Sequence, residues 1–243
     1  MAHTAVRKTR PIDYPELHTG DRMTRVEFHR AYEQMPEKFK AELIEGVVYV
    51  SSPLAIEHGT DQPALSMVVT AYAFRTQGIQ VCDNTTTFLG DDTETQPDLS
   101  LRILPEYGGQ SRTIRKGKKS YISGPPEWVG EVAHSSRAID LHLKKASYQR
   151  KHVQEYLVMC VEERQLRWFD LQTDRECEPD ADGIFRMRSF PGLWIDAEGL
   201  FARDYFRLMN ALEQGMSTTE YGAFVKKLAG QHPTKKKKGK RRP

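Results

Sequence analysis

Apolar positions follow two spacings along the chain, and these spacings divide it into short strands and a few helices. Repeats of three to four residues predict helices after Thr24, over 58–77, over 138–152 and near 203–213. Short or alternating apolar runs predict strands over 41–51, 79–88, 97–103, 127–133, 154–161, 165–171 and 184–189. The run over 127–133 is apolar almost throughout, which is typical of a central strand buried on both faces.

Residues at the element boundaries refine this division. Thr24, followed by Glu27 three residues later, forms a capping-box pattern that predicts the start of the first helix. Residues 105–125 are rich in glycine, lysine and arginine and predict a loop, and PGLWIDAEGLF predicts an edge strand that turns into a last helix. The alternation of strands and helices indicates an α/β or α+β fold, with helices packed on a sheet.

Charge is unevenly distributed. The formal net charge is +3, but the segment KKKKGKRR at 235–242 contributes seven positive charges and leaves 29 basic and 33 acidic residues elsewhere. A mildly acidic body therefore carries a cationic tail, which has no core residues and is expected to be disordered. The tail either attracts nucleic acid or only keeps the chain soluble. We expect an extended arm over 1–22, one domain over 23–213, and a C-terminal segment with this tail over 214–243.

Composition argues against several classes of protein. No apolar run approaches the roughly 18 residues that span a bilayer, and the N-terminus lacks the apolar stretch of a secretory signal. Three cysteines without a CxxC spacing argue against a disulfide framework and a cysteine zinc site, and they are typical of a cytoplasmic protein. HExxH, P-loop and GxSxG motifs do not occur, so a zinc peptidase, a P-loop nucleotidase or a serine hydrolase has no support.

Two carboxylates lie in segments that otherwise have strand character. Asp98 begins one predicted strand, and Glu131 lies inside the apolar run over 127–133. Asp140, Lys144 and Tyr148 follow at intervals of four residues, which predicts that they share one face of a helix. Unpaired carboxylates are costly to bury, so their presence in such strands indicates a use. Asp98 and Glu131 supply the minimum ligand set for Mg²⁺ or Mn²⁺, and Lys144 supplies a cation that could position water or offset phosphate charge.

Each of these residues also has a structural alternative. Asp98 could end a strand, Asp140 could favour a helix N-terminus, and Tyr148 could be a core aromatic. Glu131 could form a buried ion pair with Lys144 or Arg137, while Lys144 could instead face solvent beside Lys145. His58 could line the site from the second helix or lie on the surface.

The order of these motifs resembles the Uma-two family of restriction endonucleases, within the PD-(D/E)XK nuclease superfamily. The quoted motifs are PD at 97–98, EV at 131–132 with two serines after it, D-x3-K-x3-Y at 140–148 and V-x-EY at 153–156. ELIEGVVYVSSP and PGLWIDAEGLF resemble the first and last motifs of the family. The resemblance covers about residues 23–206 and implies a restriction-endonuclease-like mixed central sheet flanked by helices.

The resemblance also implies roles for individual residues. Glu42 would be the acidic residue of the first strand, although the residues alone do not distinguish it from Glu45. Asp98 and Glu131 would bind the metal, and Lys144 would be the catalytic lysine. In the wider superfamily the lysine usually lies two residues after the glutamate, where this chain has Ala133. Lys144 would replace it from the neighbouring helix.

These observations lead to three functional hypotheses. The first is a metal-dependent DNA endonuclease, for which double-strand cleavage would favour a homodimer. The second is a nuclease-fold module that binds nucleic acid or protein without cleavage. The third is a metal-dependent hydrolase of a smaller phosphate ester. Basic residues in the predicted loop either grip a DNA backbone or form a solvated surface; they are Arg112, Arg115, Lys116, Lys118 and Lys119.

Overall fold

Strands and helices alternate along the chain. The computed structural model describes residues 16–51, 56–134 and 136–233, with backbone alone for 56–59. The strands are β1 (Ala41–Ile44), β2 (Val47–Val50), β3 (Ile79–Asp83), β4 (Thr87–Phe88), β5 (Glu94–Thr95), β6 (Leu99–Ile103), β7 (Arg112–Lys116), β8 (Lys119–Ser123), β9 (Trp128–Ala133), β10 (Glu155–Cys160), β11 (Gln165–Asp170), β12 (Arg175–Cys177), β13 (Ile184–Arg186) and β14 (Trp194–Asp196). The helices are α1 (Arg25–Tyr32), α2 (Ile56–Arg75), α3 (Lys145–Arg150), α4 (Ala197–Ala202), α5 (Tyr205–Met216) and α6 (Thr219–Gln231).

Two mixed sheets of six strands form the body of the protein. The first sheet has the order β2-β1-β5-β4-β8-β7, and the second has the order β12-β11-β10-β9-β6-β3. Each sheet contains one parallel pair, β4 with β8 and β9 with β10, among antiparallel neighbours. β13 and β14 form a separate two-stranded sheet. The predicted fold class, a mixed sheet with flanking helices, is confirmed, although the strands form several sheets rather than one.

The second sheet buries both of its faces. All six residues of β9 are buried, so the predicted central strand is confirmed. On one face, residues such as Trp128 and Val132 join the largest core cluster, together with Leu65 and Tyr72 of α2. On the other face, Val129 and Ala133 join a second cluster with Tyr148 and Tyr156. The two-residue alternation along β9 therefore places Glu131 on the second face, with Val129 and Ala133.

The first sheet packs against α1. The predicted capping box is present, because the Thr24 hydroxyl accepts from the Glu27 N–H at 3.3 Å and the Glu27 carboxylate accepts from the Thr24 N–H at 2.8 Å. Phe28 packs with Leu43 and Val48 in a third core cluster. His29 Nδ1 lies 2.8 Å from the buried Glu94 carboxylate of β5, which joins the helix to the sheet through a polar contact.

The prediction of a loop over 105–125 is wrong for the second half of this segment, which forms two strands. β7 and β8 form an antiparallel hairpin with a two-residue turn at Gly117-Lys118, and Ile114 lies opposite Tyr121. Gly117 has φ 59°, a left-handed conformation that tight hairpin turns require and that glycine adopts without strain. The many charged residues concealed the strand pattern, because this hairpin is exposed and buries only a few apolar side chains.

The other corrections concern helices. Residues 139–144 form a π-helical segment, Ile139–Lys144, which leads into α3 and replaces the first half of the predicted α-helix over 138–152. The helix predicted near 203–213 is present as α5, but it is not the last one. α6 follows within the predicted C-terminal segment, and its Phe224 and Leu228 join the largest core cluster. The predicted arm is described only from residue 16, and the cationic tail lies outside the described residues.

Candidate active site

Asp98 directly precedes β6 and lies beside Glu131 of the adjacent antiparallel strand β9. β6 and β9 pair Leu99 with Gly130. When this register is extended by one residue, Asp98 lies opposite Glu131. Residues directly opposite each other project from the same face of a sheet. The Asp98 N–H donates to Glu131 Oε2 at 3.3 Å, and the Val132 N–H donates to Asp98 Oδ2 at 2.8 Å. The strand register therefore brings both carboxylates to one place.

Lys144 reaches this place from the π-helical segment. Its Nζ lies 3.1 Å from Glu131 Oε1, 2.8 Å from Glu42 Oε2 and 3.5 Å from Asp140 Oδ1. All four side chains are at least 87% buried. We call Glu42, Asp98, Glu131, Asp140 and Lys144 the acidic cluster. Its members come from both large sheets and from the helix that follows β9.

Further contacts orient each member of the acidic cluster. Glu42 Oε1 accepts from the Gln96 N–H at 2.7 Å, which leaves Oε2 directed at Lys144. Asp140 Oδ2 accepts from the Ser136 hydroxyl at 2.6 Å. The Tyr148 hydroxyl donates to Glu131 Oε1 at 3.1 Å while its ring packs in the second core cluster. Tyr148 is thus both a core aromatic and a neighbour of the cluster.

The structure distinguishes Glu42 from Glu45, which the residues alone could not. β1 ends at Ile44, and Glu45 begins the turn to β2 with φ 52°. Its carboxylate pairs with Arg150 of α3 rather than with Lys144. Of these two glutamates, only Glu42 projects from a strand into the cluster.

Burial and mutual repulsion dominate the electrostatics of the acidic cluster. Burial raises the pKa of Glu131 well above its ordinary value; Lys144 opposes this rise, and the charges of Asp98, Asp140 and Glu42 add to it. Burial likewise raises the pKa of Asp140, against the effect of Lys144. Burial alone would lower the pKa of Lys144, but Glu131, Glu42 and Asp140 together raise it well above its ordinary value. Lys144 is therefore an ammonium at neutral pH.

The donor set of the cluster fits a hard divalent cation. Three carboxylates contact the Lys144 ammonium and Asp98 adjoins Glu131, so full ionisation of the four leaves three uncompensated negative charges. Mg²⁺ takes oxygen ligands and is commonly held by only one or two carboxylates, with water and substrate oxygens completing its shell. Within residues 16–51, 56–134 and 136–233, no group of three or more His, Cys, Asp or Glu side chains converges as a ready metal cage. The carboxylates that would hold the ion are therefore Asp98 and Glu131.

Sequence reasoning missed one neighbour of the site. The Gln62 side-chain amide of α2 donates to the Asp98 carbonyl at 3.2 Å and to Asp83 Oδ1 at 2.8 Å. These two hydrogen bonds hold the backbone in position where Asp98 leads into β6. A single glutamine in a helical pattern carries no signal for this contact, which depends on how α2 crosses the sheet. The side chain of His58, predicted as site support, lies outside the described residues.

The basic residues of the predicted loop lie on the β7–β8 hairpin. All five are exposed, namely Arg112, Arg115, Lys116, Lys118 and Lys119. The hairpin contacts the strand of Asp98 through its base, where Arg102 of β6 donates to the Thr113 hydroxyl at 2.6 Å. Within the described chain, none of the five forms an ion pair with a carboxylate. Their role in nucleic-acid binding stays a prediction.

Comparison with known proteins identifies the family of this chain. A profile of the Uma2 family, described as "Putative restriction endonuclease", matches residues 26–198, which include every member of the acidic cluster. The chain belongs to the Uma2 family. The resemblance inferred from the sequence motifs is thus confirmed. A search of curated proteins finds no match to this Uma2 chain.

A solved structure shares the fold. The crystal structure of a protein from Anabaena variabilis ATCC 29413, titled a putative nuclease belonging to DUF820, aligns with a TM-score of 0.56 and 18% identity. The alignment covers 71% of this chain and 96% of that chain. At this identity the likeness concerns the fold alone. In the part of this chain that the structure describes, no helix has the length and apolar character needed to cross a membrane.

Proposed function

We propose that this protein is a Mg²⁺- or Mn²⁺-dependent endonuclease that hydrolyses phosphodiester bonds in DNA. One observation carries the proposal: Asp98, at the start of β6, lies beside Glu131 of β9, and the Lys144 ammonium is 3.1 Å from Glu131. Membership of the Uma2 family and the nuclease-like fold support this class of reaction.

In this proposal Asp98 and Glu131 hold the metal ion. When bound, the ion supplies a Lewis acid that stabilises negative charge on the phosphodiester and lowers the pKa of a water molecule. Asp98 enters β6 with its Oδ2 fixed by the Val132 N–H, so its carboxylate is oriented before any ligand arrives. The Tyr148 hydroxyl restrains Glu131 in the same way. Such restraint lowers the reorganisation needed when the ion binds.

Lys144 acts as a cation and hydrogen-bond donor rather than as a general base. The surrounding carboxylates raise its pKa, so the ammonium keeps its proton at neutral pH. An ammonium on a flexible stem can donate to the attacking water or to the oxygens of the phosphodiester. Glu42 and Asp140 are positioning residues, because they hold Lys144 through contacts of 2.8 and 3.5 Å.

The remaining predictions follow from this function. DNA is the proposed substrate, the proposed location is the cytoplasm, and a homodimer would place two sites on the two strands of a duplex. The division into an arm over 1–22, a nuclease domain over 23–213 and a C-terminal segment over 214–243 also stays a prediction.

A plasmid assay tests the proposal. Supercoiled DNA incubated with the protein and Mg²⁺ or Mn²⁺ should become nicked or linear, and chelation should stop the reaction. Glu131→Gln should abolish it. Glu155→Gln is the matched control, since Glu155 is equally buried on the neighbouring strand but binds Trp168 and Ser189 instead of Lys144.

The outcomes separate the three hypotheses. DNA binding without metal-dependent nicking by the wild-type protein would favour a non-cleaving module. Hydrolysis of a small phosphodiester, but not of plasmid, would favour the smaller substrate. The active site would have to lie elsewhere if the wild-type protein and Glu131→Gln nick plasmid equally, in preparations free of contaminating nuclease.

A further inference from the structure

The tip of the β7–β8 hairpin concentrates positive charge. Residues 115–119 read RKGKK, so four cations lie within five residues, and the segment between Ser111 and Gly124 contains no acidic residue. The side chains of all four cations are exposed. The Arg115 side chain also donates to the Gly117 carbonyl at 3.2 Å, across the turn. Cations this close together create a local positive field at the tip.

Strand register shows to which side of the first sheet this tip points. Thr95 of β5 lies opposite Thr87 of β4, and Thr87 lies opposite Ile122 of β8. Ile122 in turn lies opposite Thr113 of β7, so these four residues form one row across the sheet. β4 is antiparallel to β5 and parallel to β8. The hairpin tip and the chain that follows Thr95 therefore leave the row on the same side.

The chain that follows Thr95 leads to Asp98. Asp98 comes three residues after Thr95, which is at most about 10 Å of extended chain, and Gly117 comes four residues after Thr113, about 13 Å. β5 and β7 are three strands apart in the sheet, which is about 14 Å at the usual spacing of neighbouring strands. The register thus puts the cationic tip and Asp98 on one side of the sheet, on the order of 15 Å apart.

A second contact ties the hairpin to the strand that Asp98 precedes. Arg102 of β6 is buried, and its guanidinium donates to the Thr113 hydroxyl at 2.6 Å and to Gln80 Oε1 of β3 at 2.6 and 2.8 Å. Arg102 lies four residues after Asp98, about 13 Å along an extended strand. The base of the hairpin is therefore fixed to the second sheet, and its tip is held at a defined distance from the acidic cluster.

The side chains of the tip suit the phosphates of DNA. Lys and Arg bind phosphate oxygens, and such contacts position a protein on the duplex without reading its sequence. Residues 112–123 contain no Asn, Gln, Asp or Glu, the side chains that pair with adenine or cytosine edges. A separation on the order of 15 Å corresponds to roughly four base pairs of B-DNA, because the helix rises about 3.4 Å for each base pair.

We propose that residues 115–119 bind the phosphate backbone of duplex DNA roughly four base pairs from the phosphodiester that the acidic cluster would hydrolyse. The inference rests on the proposed function for the identity of the polyanion and of the reacting bond. It adds which surface outside the acidic cluster holds the DNA, and that this contact falls on one side of the reacting bond.

Salt dependence tests the phosphate contact. Lys118→Gln/Lys119→Gln, in the full-length chain, should flatten the slope of log K against log salt by about 1.8, since each lost contact contributes about 0.9. Without divalent metal, the affinity for a duplex of about 20 base pairs at about 0.1 M salt should fall at least about tenfold. An unchanged slope overturns the inference. A loss confined to one of two unrelated DNA sequences also overturns it, because the tip would then read bases.

Two matched variants control for charge and for position. Lys118→Arg/Lys119→Arg keeps both cations and should keep the wild-type slope. Arg164→Gln/Arg175→Gln removes two exposed cations from the turn before β11 and from β12, which lie on the far side of the second sheet from β6. This variant should leave the slope within one contact, about 0.9, of the wild-type value. An equal loss in Arg164→Gln/Arg175→Gln overturns the inference, because the attraction to DNA would then be diffuse.

Cleavage near the ends of a duplex tests the position of the contact. A reacting bond closer than roughly four base pairs to the end on the hairpin side leaves the tip without phosphates to bind. The wild-type protein should therefore cleave each end-labelled strand poorly near one of its ends but not near the other. Lys118→Gln/Lys119→Gln should lose this asymmetry. Equal cleavage up to both ends by the wild-type protein overturns the one-sided contact.

The outcomes also separate this inference from the proposed function. Plasmid cleavage by the wild-type protein, combined with an unchanged slope in Lys118→Gln/Lys119→Gln, sinks the hairpin contact alone. The expected slope without any metal-dependent cleavage sinks the endonuclease alone and upholds the phosphate contact. If the change instead reduces binding to vesicles that contain anionic lipid and leaves DNA binding unchanged, the tip faces a membrane and the inference is wrong.

Discussion

Lys144 Nζ and Glu42 Oε2 lie 2.8 Å apart, although Glu42 belongs to the first sheet and Lys144 to the π-helical segment that follows the second sheet. This contact joins the two large sheets at the acidic cluster. Lys144 is also the only cation among the cluster's five described members, so three neighbouring carboxylates depend on it.

Lys144→Met should therefore destabilise the protein. Loss of the ammonium leaves Glu42, Glu131 and Asp140 buried without their partner, and breaking a buried ion pair from one side costs about 3–5 kcal/mol. Chemical denaturation at neutral pH measures the change. The double variant Lys144→Met/Glu42→Gln should recover part of the loss because it removes one unpaired charge. A single variant as stable as the wild type would show that the cluster is already neutral without Lys144.

Asp98→Asn should abolish metal-dependent cleavage and leave the fold intact. Asparagine keeps an oxygen that can accept from the Val132 N–H, but it removes a charged ligand and relieves repulsion with Glu131. Cleavage should fall by roughly 10²–10³-fold or more, the usual cost of losing one preorganised electrostatic contact. The melting temperature should be unchanged or higher. Nicking at the wild-type rate would exclude Asp98 from the site.

Divalent metal should stabilise the wild-type protein selectively. A cation that binds the folded cluster shifts the unfolding equilibrium by mass action, by about 2.7 kcal/mol at one hundred times its dissociation constant. Thermal unfolding with and without Mg²⁺ or Mn²⁺ should show this shift for the wild type and for Glu155→Gln. The shift should be absent in Asp98→Asn and in Glu131→Gln. Equal shifts in all four proteins would place the metal outside the cluster.

Glu94 should make stability decline between about pH 6.5 and 8. Burial raises the pKa of Glu94 to about 8, so in this range the folded state binds a proton that the unfolded state has lost. Stability conferred by a raised carboxyl pKa is present at low pH and is lost as the pH rises through the folded value. Burial also lowers the pKa of His29. This shift changes stability only at pH values below the ordinary pKa of histidine, near 6.5.

Glu94→Gln should flatten this part of the profile. The slope contributed by one proton is at most about 1.4 kcal/mol per pH unit, and the amide cannot titrate. Denaturant unfolding at several pH values from 6.5 to 8 gives the comparison. A wild-type profile that is already flat over this range would show that Glu94 ionises normally.

Local patterns in the sequence predicted the parts of the site that single strands determine. Apolar alternation predicts the strand that begins at Asp98, which the structure starts one residue later, and the continuous apolar run around Glu131 predicts the central strand β9. Their alignment required the pairing register, which the sequence does not state. The choice between Glu42 and Glu45 required the left-handed turn at Glu45, and the Gln62 contact required the crossing of α2 over the sheet.

Other features could not be predicted from the sequence, because the residues that stabilise them give a weak local pattern or lie far away in the chain. The β7–β8 hairpin has few apolar residues, so charge concealed its alternation. α6 gains its stability from Phe224 and Leu228 on a core formed by residues much earlier in the chain. The π-helical segment has the same four-residue spacing of Asp140, Lys144 and Tyr148 that predicts an α-helix, so its wider turns leave no trace in the pattern.

The contact between Glu42 and Lys144 has a consequence for synthesis of the protein. A chain that has left the ribosome only as far as β9 already contains Glu42, Asp98 and Glu131 but lacks Lys144, the cation that contacts Glu42 and Glu131. The acidic cluster can close only after the sheets have docked and the segment after β9 has folded onto them. In the function proposed, DNA cleavage would therefore be confined to finished molecules, and nascent or partly unfolded chains would be harmless to the genome of the cell that makes them.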